Sequence, residues 1–424
     1  MRYHFLKLWE HFLTDHLFRN SMYLMMTTGA MGAFGFFFWI ICTHLFTPAQ
    51  IGIGTTLISA MTLISLASLL GFNTTFIRFL PNSQNRNDAI NTGSLLVISM
   101  AALLAIAYII LIPTITPQLE IIRQNIWYAL GFIAIVASVS ITSLTDSIFI
   151  SFRSTHFNLL TNGLTVGIMK LILPMLFVGF GAYGVFAAFG LAASFGTIVA
   201  ILFLYFKFEY RPQLKIDVSI LKKVFSYSFT NYFVNLTNIS PALVLPIIVI
   251  NRLGADAAAY YYLAFMIINL LYTVSGSVSQ SLFAEGSHAG NNLRNLIRNS
   301  LVILASIMLP AGIILALFGP LVLQFFGKSY SAGGSDVIVL LALAAPAVAA
   351  YNLGSSLLRI RQQTRSLLIA SITYSALIIS LSLLWADKGL VWIAVAWMAG
   401  NTAAAIVSFF AIYLYRHHPT PVPN

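Results

Sequence analysis

Cysteine and charge are both scarce in this chain. One cysteine occurs in 424 residues, and charged residues make up 8%. A lone thiol, Cys42, excludes an internal disulfide and any cysteine-rich metal site. So little charge, against about a quarter of the residues in soluble domains, excludes an ordinary water-facing surface. Acidic side chains are scarcer than basic ones, 11 against 22. Of eight histidines, all but His44 fall at the ends of the apolar runs or in the polar segments, with no metal-ligand spacing. No polar stretch is long enough to form a soluble domain.

What fills the chain is hydrophobic sequence, 59% of it. Twelve apolar runs lie at roughly 17–45, 48–79, 89–114, 125–150, 156–179, 184–207, 221–250, 256–284, 296–318, 335–358, 365–385 and 389–415. Each is long enough for a helix to cross a hydrocarbon core of ~30 Å, which takes roughly 20 residues. The reading is an all-α polytopic membrane protein of twelve transmembrane helices. The basic residues then sort by side. With the N-terminus inside, seventeen of the 22 fall in inside segments, and only Arg123, Arg252, Lys328 and Lys388 fall outside. The bias of Lys and Arg toward cytoplasmic loops sets orientation, so both ends are expected in the cytoplasm. Topology thus accounts for most of the +11 net charge. Nucleic acid is not indicated, and anionic lipid headgroups are the natural partner.

The expected domain plan has five parts. Residues 1–20 place Phe5, Leu8, Trp9, Phe12, Leu13 and Leu17 at helical spacing, an amphipathic helix at the cytoplasmic interface and not a cleavable signal. A six-helix lobe follows over 21–207, and a polar linker over 208–220. A second six-helix lobe covers 221–416, with a cytoplasmic tail at 417–424. An offset of 207 residues superposes the span boundaries of the two halves and sets Thr62 against Asn269 and Phe76 against Phe283. An even number of spans per half makes them parallel repeats, with a cavity expected between them.

Polar side chains in lipid need a partner or a wet face, so stripes of them mark interior faces. Span 7 carries Ser228, Asn231, Asn235 and Asn238 on one face, followed by Pro241 and Pro246, which predict a kink or break. Span 8 carries Asn269, Tyr272, Gly276 and Ser279, and span 2 carries Thr55, Ser59, Thr62 and Ser65. These faces suit carbohydrate, although interhelical hydrogen bonding alone would also use them. Asp146 in span 4 and Lys170 in span 5 are ionisable residues within the membrane. They are candidates for a protonation switch and a phosphate site, with internal pairing the plain alternative. The same offset aligns Arg78 with Glu285, a candidate cytoplasmic gate or simply two interfacial anchors.

Two runs in the first half are familiar. Leu45-Phe46-Thr47-Pro48-Ala49-Gln50-Ile51-Gly52 turns span 1 into span 2, and Leu70-Gly71-Phe72-Asn73-Thr74-Thr75-Phe76-Ile77-Arg78-Phe79-Leu80-Pro81 closes span 2. Both resemble the bacterial polysaccharide-export flippases that handle lipid-linked oligosaccharides such as O-antigen units. That family is similar in fold to the multidrug and toxin extruders. The resemblance implies two six-helix lobes around a central cavity. It also implies alternating-access transfer of an undecaprenyl-pyrophosphate-linked glycan from the inner to the outer leaflet of the cytoplasmic membrane. The lipid-linked oligosaccharide, membrane lipids and polysaccharide assembly proteins would be its partners, with a single chain as the working unit and no cofactor. Lys170 is the only cation near the midplane, so the positive cavity the family implies is thin here.

Two other functions compete. A cation-coupled multidrug exporter of the same fold calls for an acid in its cavity, and Asp146 is the only clear one. A glycan polymerase or glycosyltransferase calls for an acid pair or a large external loop. The outside segments near 115–124 and 319–334 offer only Glu120, Arg123 and Lys328. The reading is therefore a carrier and not an enzyme.

Overall fold

The computed structural model describes residues 16–83, 85–216, 229–287 and 292–414, without the side chains of 16–18 and 229–231. Every regular element among them is helical. The helices are α1 (His16–Leu45), α2 (Pro48–Ser68), α3 (Phe72–Phe79), α4 (Arg86–Ile115), α5 (Ile126–Ser151), α6 (His156–Leu176) and α7 (Gly181–Lys207). They continue with α8 (Phe229–Leu253), α9 (Ala255–Gly286), α10 (Leu293–Gln324), α11 (Lys328–Leu343), α12 (Ala345–Ile360), α13 (Thr364–Trp385) and α14 (Leu390–Leu414). Eleven helices are long and apolar enough to cross a membrane, and α11 with α12, bent by 43°, completes twelve spans. The chain forms two compact units, Met1–Phe233 and Val234–Asn424, which divide within α8. The proposed interfacial helix lies largely outside the described residues, as do the end of the linker and the tail.

Helix starts repeat at the expected interval. α2 and α9 begin at Pro48 and Ala255, α4 and α10 at Arg86 and Leu293, and both offsets are 207 residues. The Leu45–Gly52 run is a capping box at the start of α2. The Thr47 hydroxyl accepts from the Gln50 amide at 3.3 Å, and the Gln50 side chain accepts from the Thr47 amide at 3.0 Å. Pro48, with no N–H to lose, occupies the first turn.

Span 2 differs from its sequence reading. It stops at Ser68, because Leu70 (φ 50°) and Gly71 (φ 86°) are left-handed and break the helix before α3. Twenty-one residues at 1.5 Å each already reach about 31 Å, enough to cross. α3 buries Phe72 and Phe76, and Phe76 fills the space over Gly93, where a Cβ would come within 2.5 Å of its ring. In span 7 the expected break does not occur, since α8 runs as one helix through Pro241 and Pro246. Pro241 cannot donate to the Thr237 carbonyl one turn back, and the Ser240 hydroxyl donates to it instead at 3.0 Å. The break of the second unit falls at Ala344, with Pro346 in the first turn of α12.

In the first unit, the chain after α7 is strapped to α4 by one amide. Buried Asn91 accepts from the Tyr210 hydroxyl (2.7 Å) and the Gln213 amide (3.1 Å), and donates to the Arg211 carbonyl (3.1 Å). Lys215 adds an ion pair with Asp88 at 2.8 Å. Asn91→Leu strips two donors and a carbonyl of their partner, at about 1–3 kcal/mol for each group left buried. A lower melting temperature and faster protease cleavage within 208–216 are the expected results, and unchanged cleavage would count against the strap.

Candidate functional site

Asp146 and Lys170 both belong to the first unit, but they do not pair. Asp146, half-buried on α5, faces the start of α6, where Leu159–Thr165 winds as a π-helix. There the Val166 amide reaches back five residues to the Thr161 carbonyl, and the Thr165 hydroxyl donates to the Leu160 carbonyl at 2.9 Å. The widened turn presents Asn158 and Asn162 to the carboxylate. Asn162 Nδ2 donates to both Asp146 oxygens, at 2.6 and 2.7 Å, and Asn158 Nδ2 donates to Oδ1 at 3.1 Å. Asn158 Oδ1 is buried with no donor. The carboxylate is therefore held by neutral amides, with one unsatisfied oxygen on the adjoining side chain. Such a group can take up a proton or a hard monovalent cation.

Lys170 lies eight residues beyond Asn162, about 12 Å further along α6. It is 8% exposed, and its ammonium stands 4.0 Å from the centre of the Phe189 ring on α7. Phe38 of α1 meets that ring edge-on at 5.6 Å. The backbone of α1 comes close because Gly167 leaves room for Phe34, whose ring a Cβ there would strike at 2.3 Å. Among the described residues no carboxylate lies within ion-pair distance of Lys170 and none accepts a hydrogen bond from it. Ion pairs among the described residues include Arg123–Glu120, Lys215–Asp88 and Arg252–Asp387, all at helix ends or in the turns between helices. A ring face attracts a cation by about 0.5–2 kcal/mol, less than the cost of holding a bare charge in hydrocarbon.

The second unit holds an aromatic and amide cluster. Tyr351 donates to Asn238 Oδ1 at 2.5 Å and stacks on Tyr374, which meets Trp397, which in turn stacks on Tyr272. Tyr272 is buried, and its hydroxyl donates to the Leu341 carbonyl at 2.6 Å in the last turn of α11, beside the break. Asn235 and Asn269 are exposed, each on its own helix, and Thr62 spends its hydroxyl on the Ile58 carbonyl at 2.7 Å. The Asn231 side chain lies outside the described residues. Arg78 and Glu285 are both exposed, near the ends of α3 and α9. Asn158, Asn162 and Phe189 were missed by sequence reasoning. The spacing of four between the two asparagines was a usable signal, because it puts both on one helical face. No three His, Cys, Asp or Glu converge among the described residues.

Burying a charge whose partners are removed costs more than removing both sides. Asn162→Leu should therefore cost about 2–4 kcal/mol of stability, while Asp146→Leu/Asn162→Leu should recover at least half of that. Thermal unfolding in detergent checks it. A double variant as unstable as the two singles combined would contradict the amide clamp.

The comparisons agree with this architecture. A family model described as polysaccharide biosynthesis protein matches residues 41–333. Among curated proteins, none matches the sequence. Among the solved structures that share the fold are the following three. A lipid II flippase, MurJ, in an inward closed conformation is similar with a TM-score of 0.72 at 15% identity, over 92% of this chain and 87% of that one. An inward-facing multidrug resistance MATE family transporter of the MOP superfamily gives 0.69 at 14%, over 92% and 96%. A MOP superfamily transporter from Pyrococcus furiosus, described as having a binding pocket of reversed polarity, gives 0.60 at 14%, over 94% and 95%. With well over half its length matched by the family model, this multi-span membrane protein belongs to the polysaccharide biosynthesis protein family.

Proposed function

We propose that the protein is a flippase for a lipid-linked oligosaccharide in cell-surface polysaccharide biosynthesis. Its substrate is an undecaprenyl-pyrophosphate-linked glycan of the O-antigen or lipopolysaccharide kind. It carries this substrate by alternating access from the inner to the outer leaflet of a bacterial cytoplasmic membrane, with both termini in the cytoplasm. Membership of the family supports the polysaccharide pathway, and the fold of MurJ and the MATE transporters supports a carrier.

The observation that carries the reading is Lys170. It is a buried cation over the Phe189 ring, with no carboxylate at ion-pair distance among the described residues. A pyrophosphate brought into contact with it supplies the missing charge, and a charged group that leaves with the substrate is what a transport cycle requires. In the second unit, the exposed amides of Asn235 and Asn269 suit a sugar. The second reading, a cation-coupled multidrug exporter, is favoured by one feature, the Asp146 carboxylate with the unsatisfied Asn158 oxygen beside it.

Reconstitution into liposomes with a fluorescent lipid-linked oligosaccharide tests the role of Lys170. Removing one charge-assisted phosphate contact costs about 1.5–3 kcal/mol, so Lys170→Met should slow leaflet exchange at least about tenfold, with Lys170→Arg retaining most of the rate. Equal rates for Lys170→Met and the unaltered protein would remove Lys170 from the site.

A further inference from the structure

Arg294, Arg298, Leu301, Ala305, Met308 and Gly312 follow one another at alternating spacings of four and three, so they share one face of α10. The apolar part of that face is one wall of a groove of about 430 Å³ within the second unit. α11 and α12 form the opposite wall with Leu343, Pro346 and Ala350, on either side of their 43° bend. No side chain lining the groove is charged, and none carries a hydroxyl or an amide. Leu301 at one end is 50% exposed and Leu317 at the other 67%, so the groove opens sideways from the bundle.

Its length decides what fills it. Leu301 and Leu317 are sixteen residues apart on one helix, about 24 Å at 1.5 Å per residue. One leaflet supplies only about half of the ~30 Å hydrocarbon thickness. The acyl chain of an ordinary phospholipid ends near the midplane and leaves the far part of the groove empty. A chain that fills it from a single headgroup must cross the midplane. The headgroup end is marked by Arg298 and Arg294, about one and two turns before Leu301 on the same face. Both are exposed, and guanidinium groups hold phosphate oxygens in pairs.

We propose that this groove holds the tail of a long-chain polyprenyl phosphate, with its phosphate on Arg294 and Arg298. The assignment rests on the polyprenyl-linked substrate argued above and describes it as it is taken from the membrane, at a stage separate from the contact of its phosphate with Lys170. The small side chains Ala305 and Ala350 keep the groove open, and bulk at either position closes it without entering the core.

Photocrosslinking in phosphatidylcholine vesicles tests the assignment with the full-length protein. One probe is a long-chain polyprenyl phosphate with a diazirine about 20 Å along its tail from the phosphate, within the far half of the groove, and the other is a phosphatidylcholine with the diazirine at the end of an acyl chain. The prenyl probe should label the Leu309–Leu317 stretch and be displaced by unlabelled polyprenyl phosphate. Ala305→Phe and Ala350→Phe should each cut that labelling about tenfold, as hydrocarbon pockets do when their volume changes. Arg294→Gln/Arg298→Gln should weaken it with the groove intact, which separates lost contact from lost folding. Equal labelling by the acyl probe, or labelling indifferent to both kinds of variant, overturns the proposal. Leaflet exchange is measured separately. Exchange without groove labelling rejects the tail site alone, and groove labelling without exchange rejects the flippase reading alone.

Discussion

Hydrocarbon offers no water to a polar group, and the irregular places along these helices have to answer to that one constraint. A soluble helix can end, bend or widen and let solvent take up the freed carbonyl. Here a side chain does it at three places. Ser240 serves the carbonyl that Pro241 abandons, Tyr272 serves Leu341 beside the break in span 10, and Thr165 serves Leu160 in the π-helix. Asp146 follows the same rule with three amide hydrogen bonds. Lys170 does not follow it, since a ring face is a weak substitute for an anion. That exception is what separates a candidate substrate site from the polar scaffolding around it.

Much of this was legible from residue order. Span number came from length and hydropathy, because a bilayer fixes both, and the repeat of helix starts followed from the same spacing. The Thr47–Gln50 capping box was visible as a string of letters before its hydrogen bonds gave it meaning. Other features stayed hidden for physical reasons. A π-helix shifts hydrogen-bond register by one residue and leaves no mark on hydropathy, so the meeting of Asp146 with Asn158 and Asn162 did not show. Gly71 in an apolar run looks like any small residue until its positive φ breaks the helix. Pro241 does not break its helix, and the Ser240 hydroxyl beside it serves the carbonyl left without a donor.

Polar stripes also proved to be several things at once. Asn238 belongs to a network with Tyr351 and Ser371, and Tyr272 braces a bend from inside its unit. Asn235 and Asn269 face outward from their helices. A pattern of threes and fours says that residues share a face, and only packing says what that face meets. The groove along α10 makes the complementary point, since its occupant is argued from length and the position of charge, with no polar lining to consult.

The central claim is that the carried molecule is a lipid-linked glycan and not a soluble cation. Side-by-side transport in one liposome preparation of the unaltered protein measures this most directly, with a fluorescent undecaprenyl-pyrophosphate oligosaccharide and a cationic dye as cargoes. Leaflet exchange of the lipid-linked glycan well above protein-free vesicles, with no movement of the dye, is the predicted result. Dye transport driven by a proton or sodium gradient, with glycan exchange no faster than in empty vesicles, would contradict it.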